Sequence, residues 1–422
     1  TGHVEGLHPL LCRTLNSCGQ FPLYRHQAEA CRAAMDGKNI VVATPTASGK
    51  SLVFYIPVLE ALLQDGGEAR AIFLFPLKAL ARDQLKKLSG YMDNLKQQAT
   101  SAADNPADGS FPVAEQQLQK AIKALEKAEV HSYDGDTPQA ERPVVRRRAR
   151  VVMTNPDMLH CGILPHHGMW APFLRKLRFI VIDEAHHYRG GFGSHLAMVV
   201  RRLLRICNSV YGSEPQVIAA SATIGNPAAH VKRLTSLETV AITDSGAPCG
   251  EKRVVLWQPP TESDASGEET MRSPFLETAD IVVGLMRAGL QTLTFVAARK
   301  LTEIIASYVR SKCLKSSLTS HLSGMVASYR AGYTVGERRN IESSLASGQL
   351  RGLIATNALE MGIDVGELDA TVHVGVPVHM HELWQQAGRA GRRNATSLAI
   401  VVAQQTPLDM YYMSNPESYF AR

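Results

Sequence analysis

IVVATPTASGKSLVF (residues 40–54) decides the fold of this chain, because it reads in order as a strand, a phosphate-binding turn and a helix. Ile40 to Ala43 is a short apolar run of the kind buried parallel strands show. Leu52 onward reads as the helix, and Thr44 to Ser51 is the turn between them. Backbone N–H groups in such a turn, with the positive end of the following helix, form a cradle for an anion. Lys50 is expected to reach the β- and γ-phosphates of ATP, and the Ser51 hydroxyl to ligate Mg²⁺. Thr44, Thr46, Ala47, Ser48 and Gly49 supply the rest of the cradle. The turn departs from G-x-x-x-x-G-K-[ST] because Thr44 stands at the first Gly, so a helix cap with a chance Gly-Lys-Ser remains the plain alternative at this point.

FIVIDEAH (179–186) shifts the balance. An apolar strand runs directly into two carboxylates, which places Asp183 and Glu184 at the C-terminal edge of a sheet, where ligands sit in open α/β folds. Asp183 is expected to hold Mg²⁺ through water, Glu184 to orient and deprotonate the attacking water, and His186 to sense the γ-phosphate. Upstream, PLYRHQ (22–27) offers Gln27, whose amide both donates and accepts at an adenine edge, and Tyr24, which can stack on the base.

Short apolar runs recur at Ala71 to Phe75, Val151 to Met153, Val217 to Ala220, Leu293 to Val296, Gly352 to Ala355, Thr371 to Val374 and Leu398 to Val402. Strands alternating with helical patterns predict an α/β protein built of doubly wound parallel sheets. QPPTESDASGEETMRSP (258–274) breaks the rhythm and reads as a linker, giving a first domain over 1–257 and a second over 275–422. Val254 to Trp257 is an alternative first strand of the second domain. Residues 97–128 read as an insertion: a polar surface stretch from Gln97 to Pro112, then a helix marked by Leu118, Ile122 and Leu125.

The second domain carries QQAGRAGR (385–392). Arg389 and Arg392, three residues apart, share a face at helical spacing and can stabilise charge on a transferring phosphoryl group. With Gln385 they are the candidate catalytic residues on this side. A solvated basic helix is the ordinary alternative. The preceding GLIATNALEMGID (352–364) weakens it, because another strand there ends in a polar loop bearing Gly362 and Asp364.

Composition is that of an ordinary globular protein, with 45% hydrophobic and 20% charged residues. The longest apolar stretch, Leu52 to Leu63, is broken by Pro57 and Glu60 and is too short to cross a bilayer. No basic end followed by an apolar run opens the chain, so no signal peptide is readable. A net charge of +6 suits a nucleic-acid partner without requiring one. Seven cysteines without a Cys-x-x-Cys pair indicate neither a disulfide framework nor a zinc site, and suggest a reducing compartment.

Taken together and in order, these strings resemble a superfamily-two helicase over nearly the whole chain. The resemblance implies two tandem RecA-like domains. It assigns adenine reading to Tyr24 and Gln27, the phosphate loop to Thr44 to Ser51, and the magnesium motif to Asp183 to His186. Coupling falls to Ser221, Ala222 and Thr223. TPTASGKSL, YDGDTPQAER, TNPDMLHCGILPHH, DEAHHYRGGFGSH, SATIGN, YRAGY, ATNALEMGID and LWQQAGRAGR resemble the RecQ-four-related, mitomycin-repair branch of DNA helicases. That branch implies ATP-driven 3′-to-5′ movement on single-stranded DNA, unwinding, and a repair role. It also implies a cysteine-rich zinc-binding domain near the C-terminus. This chain ends without one, so a fragment or a reduced strand-separating capacity is expected.

The same resemblance gives a nucleic-acid track of Pro76, Lys78, Thr137, Thr154, Asn155, Pro156 and Asp157 in the first domain. Arg299, Arg330 and Thr356 continue it in the second. Hydroxyls, amides and backbone N–H groups grip phosphates without reading bases, as a moving motor requires. Tyr329, Tyr333 and Trp384 can stack on bases, although core packing is the more ordinary use of each. An RNA helicase or remodeller, and a nucleotide-gated binding module without unwinding, fit the same residues. The setting expected is intracellular: the nucleus in a eukaryote, the cytoplasm or nucleoid in a bacterium.

Overall fold

A computed structural model describes residues 2, 4–45, 48–104, 113–248, 250–263, 269–330, 332–356, 359, 368–391 and 396–420. The chain forms two compact units, Thr1–Ala247 and Pro248–Arg422, each built on a parallel sheet.

The first sheet comprises β1 (Ile40–Ala43), β2 (Arg70–Leu74), β3 (Glu129–Ser132), β4 (Ala149–Thr154), β5 (Leu177–Ile182), β6 (Gln216–Ser221) and β7 (Val240–Ile242). Their order is β3-β4-β2-β5-β6-β1-β7, and every pairing is parallel. Successive residues of β1 feed opposite cores: Ile40 and Val42 join one cluster and Val41 the other. With both faces covered, every residue of the strand must be apolar, which is why these strands read as unbroken hydrophobic runs.

In the second unit lie β8 (Lys252–Trp257), a short antiparallel pair β9 (Thr261–Ser263) and β10 (Glu269–Met271), then β11 (Thr292–Phe295), β12 (Val326–Tyr329), β13 (Gly352–Ala355), β14 (Ala370–Val374) and β15 (Ser397–Val402). The main sheet runs β12-β13-β11-β14-β15-β8, again parallel throughout. The two units are thus the expected tandem RecA-like α/β domains.

Two boundaries differ from the sequence reading. The division between the units falls at Ala247 and Pro248, ahead of the 258–274 segment read as a linker. β8 pairs along its whole length with β15, and the hairpin β9–β10 occupies the polar stretch behind it. Glu277 fastens this region, accepting from Trp257 Nε1 at 3.1 Å and from Arg272 at 2.7 Å. Polar composition therefore marked a packed hairpin as a tether. The polar stretch from Gln97 also begins inside a helix, because Lys78–Asp104 is one helix of 27 residues. Leu88, Met92, Leu95, Ala99 and Ala102 are buried along one face of it. The expected helix behind it is Glu115–Lys127, with Leu118 and Leu125 buried.

This packing makes a direct prediction. Ala99→Lys forces an ammonium into the first core and should cost at least about 2 kcal/mol in urea unfolding. Gln97→Lys, on the exposed side of the same turn, should cost under about 0.5 kcal/mol. Equal tolerance at both positions would mean the segment is a surface loop.

Candidate active site

Parallel strands send all their C-terminal ends to one edge, and the chemistry of the first unit collects there. β1 leads into the phosphate loop, β5 into Asp183 and Glu184, and β6 ends at Ser221. These three strands are neighbours in the sheet. The other half, β3-β4-β2, leads into the segments that carry the residues assigned to nucleic acid: Thr137, Thr154 to Asp157, and Pro76 and Lys78.

Lys50 lies in the loop before the helix Leu52–Gln64 and donates to the carbonyls of Thr44 (2.9 Å) and Pro45 (2.7 Å). Thr44 Oγ1 and Ser48 Oγ are 2.7 Å apart, so the residue standing for the first glycine ties the loop to itself. Gly49 has φ +78°, and a Cβ there would come within 2.6 Å of Gln27 Nε2. Gln27 bridges loop and motif, accepting from Tyr24 N–H at 2.9 Å and donating to Gly49 O at 3.0 Å. Tyr24 is partly exposed beside it. Thr46 and Ala47 lie outside the described residues.

Asp183 is 7% exposed and accepts from the Glu184 N–H at 2.9 Å. Burial, and then the adjacent Glu184 carboxylate, push its carboxyl above the ordinary range, while Lys50 pulls the other way. A buried carboxylate in that predicament suits a cation, since a dication beside it reverses the balance. Asp183 and Ser51, at the mouth of the loop, are the residues that would hold Mg²⁺. Glu184 has φ +50°, a left-handed conformation that costs a non-glycine residue roughly 1–3 kcal/mol and is typical of functional turns. Among the described residues, Glu184, His186 and His187 form the one group with ligand atoms close enough to share a metal ion.

His186 is buried, and its Nδ1 accepts the Ala222 N–H at 3.1 Å, with Ser221 Oγ 3.5 Å away. An accepting Nδ1 carries no proton, so this imidazole is neutral and its 3.6 Å approach to Glu184 is not an ion pair. The segment after β5 is thereby joined to the segment after β6. Thr223 follows on the surface.

The nucleic-acid assignments divide. Lys78 (bonded to Asp136 at 2.8 Å) and Arg299 reach the surface, Asp157 is exposed, and Pro76 and Thr356 are half-buried. Arg330 is held by Glu303 at 3.2 Å and lies over the Tyr333 ring. Thr154 and Thr137 are not available as phosphate grips. Thr154 is buried and donates to Tyr133 O at 2.6 Å, and Thr137 Oγ1 accepts from Asp134 N–H at 2.9 Å. Asn155 caps the next helix through Oδ1, which accepts from Met158 N–H at 2.8 Å and does not engage its Nδ2, and Pro156 is buried. These four shape the loops, leaving the loop backbone and the Asn155 Nδ2–H groups to contact a strand. Tyr329 is buried and bonded to Glu342, whereas Trp384 is 42% exposed.

The arginine segment also differs from the expected helical face. The helix Met380–Ala387 stops at Gly388, and Arg389 stands in the turn beyond it, 7% exposed. Gly391, at φ +85°, donates to Leu368 O at 3.1 Å and turns the chain away. Gly388 is the C-cap of the helix, so the arginine spacing does not continue on a helical face. Gln385 is buried within it. Arg392, Gly362 and Asp364 lie outside the described residues.

Motif reading passed over His373, which is 1% exposed on β14. Its Nδ1–H donates to Gln386 Oε1 at 2.9 Å and its Nε2 accepts from Thr371 Oγ1 at 3.0 Å. Burial keeps the ring neutral, and its bond to Gln386 fixes the helix that precedes the arginine turn to the sheet. Its alternation with Thr371 inside an apolar strand was the available signal.

A parallel α/β sheet with a lysine-bearing loop after one strand and an Asp-Glu pair after another defines a nucleoside triphosphatase of the phosphate-loop class. Residues 24–108 and 112–231 match the DEAD/DEAH box helicase family model, and residues 277–394 match that of the helicase conserved C-terminal domain. The chain belongs to the DEAD/DEAH box helicases. It is 40% identical over 418 residues to the uncharacterized ATP-dependent helicase YprA of Bacillus subtilis (strain 168), covering 99% of this chain and 51% of that protein. It is also 40% identical over 398 residues to the ATP-dependent helicase HRQ1 of Saccharomyces cerevisiae, covering 94% of this chain and 34% of that protein. The crystal structure of the DUF1998 helicase MrfA bound to DNA and AMPPNP superposes with a TM-score of 0.86 at 39% identity, covering 100% of this chain and 54% of that one. The chain therefore spans about half the length of these relatives, or less.

His373 gives this unit a pH dependence. Burial lowers its pKa to about 4 from 6.5, outweighing the Gln386 hydrogen bond, and Lys252 adds to the lowering. The depressed folded value contributes stability that is present above about 6.5 and is lost as pH falls through about 4. The loss is on the order of 3 kcal/mol. His373→Gln should flatten that part of the stability curve between pH 7 and 4, measured by urea unfolding. An unchanged slope would refute the assignment.

Proposed function

We propose that the chain is the motor core of an ATP-dependent DNA helicase that moves 3′-to-5′ along single-stranded DNA, unwinds duplex and serves DNA repair. The observation that carries the ATP half is the Ala222 N–H to His186 Nδ1 bond. It links the turn holding Glu184 to the coupling segment, so a change at the γ-phosphate has a defined route out of the site. The DNA half is supported by the likeness to a helicase crystallised with DNA and AMPPNP. Repair rests on the branch resemblance.

In this reading the loop N–H groups and Lys50 bind the phosphates, and Lys50 exchanges the carbonyls of Thr44 and Pro45 for phosphate oxygens. Ser51 and Asp183 would hold Mg²⁺, which would neutralise phosphate charge. Glu184 orients the attacking water and takes its proton. Tyr24 and Gln27 meet the adenine. Arg389, Arg392 and Gln385 supply the charge and hydrogen bonds the transition state needs, and Gly362 and Asp364 contribute to ATP binding. Lys78, Arg299, Arg330 and Thr356, together with the loop backbones around Thr137 and Thr154 to Asp157, grip DNA phosphates. Forked DNA is the natural substrate of such a motor.

Single-stranded DNA should stimulate ATP hydrolysis more than matched RNA, and the protein should displace a strand from a 3′-tailed duplex but not a 5′-tailed one. Stronger stimulation by RNA would favour an RNA remodeller instead. Lys50→Ala should lower the stimulated turnover at least about a hundredfold. DNA-stimulated hydrolysis surviving in that variant would sink the proposal. His186→Ala should reduce the ratio of stimulated to basal hydrolysis more than it reduces the basal rate itself. An unaltered ratio would remove the coupling role.

A further inference from the structure

The helix Met380–Ala387 runs back from the C-terminal end of β14, so the arginine turn reaches the opposite edge of the second sheet, where Ala390 bridges to Leu368 ahead of β14. Lys252, the first residue of β8, lies at that edge in register with Ser397, the first residue of β15. Its ammonium donates to Ala387 O at 2.5 Å, to Ala390 O at 2.9 Å and to Ser397 Oγ at 3.0 Å. An ammonium has three protons, and three acceptors from two segments gather around this one.

The positions of the acceptors matter more than their number. Arg389 lies between Ala387 and Ala390, and Arg392 between Ala390 and Ser397. One cation thus brackets both arginines in the chain. The two carbonyls belong to the end of a helix and the turn after it, where acceptors have no partner inside the helix and a positive charge is favoured. Resting on the helicase reading above, we infer that Lys252 is a positioning residue for Arg389, holding the turn so that its guanidinium serves ATP hydrolysis without reorganising. It is contributed by the strand that follows the division between the two units.

A residue that only stabilises the fold would shift Tm and leave turnover of the folded protein alone. A positioning residue acts on the transition state, so it lowers kcat while substrate binding stays constant. With saturating single-stranded DNA, Lys252→Met should lower the kcat for ATP hydrolysis roughly 10- to 100-fold, with KM for ATP and Kd for a labelled oligonucleotide within about twofold. Lys252→Arg should recover most of the rate. Placed on Arg389→Ala, Lys252→Met should cost less than about twofold more, because both act through one group. Full multiplication of the two effects, or a Lys252→Met protein as active as the parent, would overturn the inference while leaving the helicase reading standing. Failure of the parent protein to respond to DNA would overturn both. Should Lys252→Met not fold, Lys252→Gln decides by the same measurements, with a smaller drop in kcat supporting the inference and parental kcat overturning it.

Discussion

Parallel strand pairing is the constraint from which the rest of this molecule follows. A parallel neighbour can be reached only by a crossover, so each strand's C-terminal end opens on the same edge and each helix returns the chain to the other. In the first unit the order β5-β6-β1 brings the Asp183–Glu184 turn, the Ser221–Ala222 segment and the phosphate loop side by side. The order β3-β4-β2 gathers the loops assigned to a nucleic-acid strand. The second unit repeats the separation: β12-β13-β11 lead to Arg330, Thr356 and Arg299, while the arginine turn is carried to the opposite edge.

Two neutral histidines then make the sites specific. His186 accepts a backbone N–H, which a charged ring could not do, and His373 completes a Thr371–Gln386 bridge where burial keeps the ring neutral. Buried polar contacts of this kind are costly when half satisfied and rigid when complete. Together with the Lys252 ammonium, they hold the functional segments against the sheets, so that the groups of the reaction do not depend on loop conformation alone.

Much of the site was legible because it is local. A phosphate loop needs its glycine, lysine and hydroxyl within a few residues, and the strand before Asp183 announces itself by continuous apolar character. Errors arose where one composition serves two structures. Gln97 to Asp104 is polar overall yet continues a helix through Ala99 and Ala102, which are small enough to bury without marking the sequence as hydrophobic. Arg389 was read onto a helical face from spacing alone, although the helix ends at its cap Gly388, just ahead of it. Thr154 carries a side chain suited to gripping phosphate, but its hydroxyl is already spent on the Tyr133 carbonyl.

The sequence by itself determined the family, the loop bearing Lys50, the Asp183–Glu184 pair at the end of an apolar strand and the doubly wound class of both domains. Each of these is written in contiguous residues whose chemistry and period are local. Only the tertiary structure decided which half of each sheet carries which loop, that β8 belongs to the second unit, and that Lys252 and His373 hold the arginine-bearing segment. Those facts depend on which distant strands pair. Pairing is settled by burial on both faces of a sheet, which many apolar runs of similar length satisfy equally well until they are packed together.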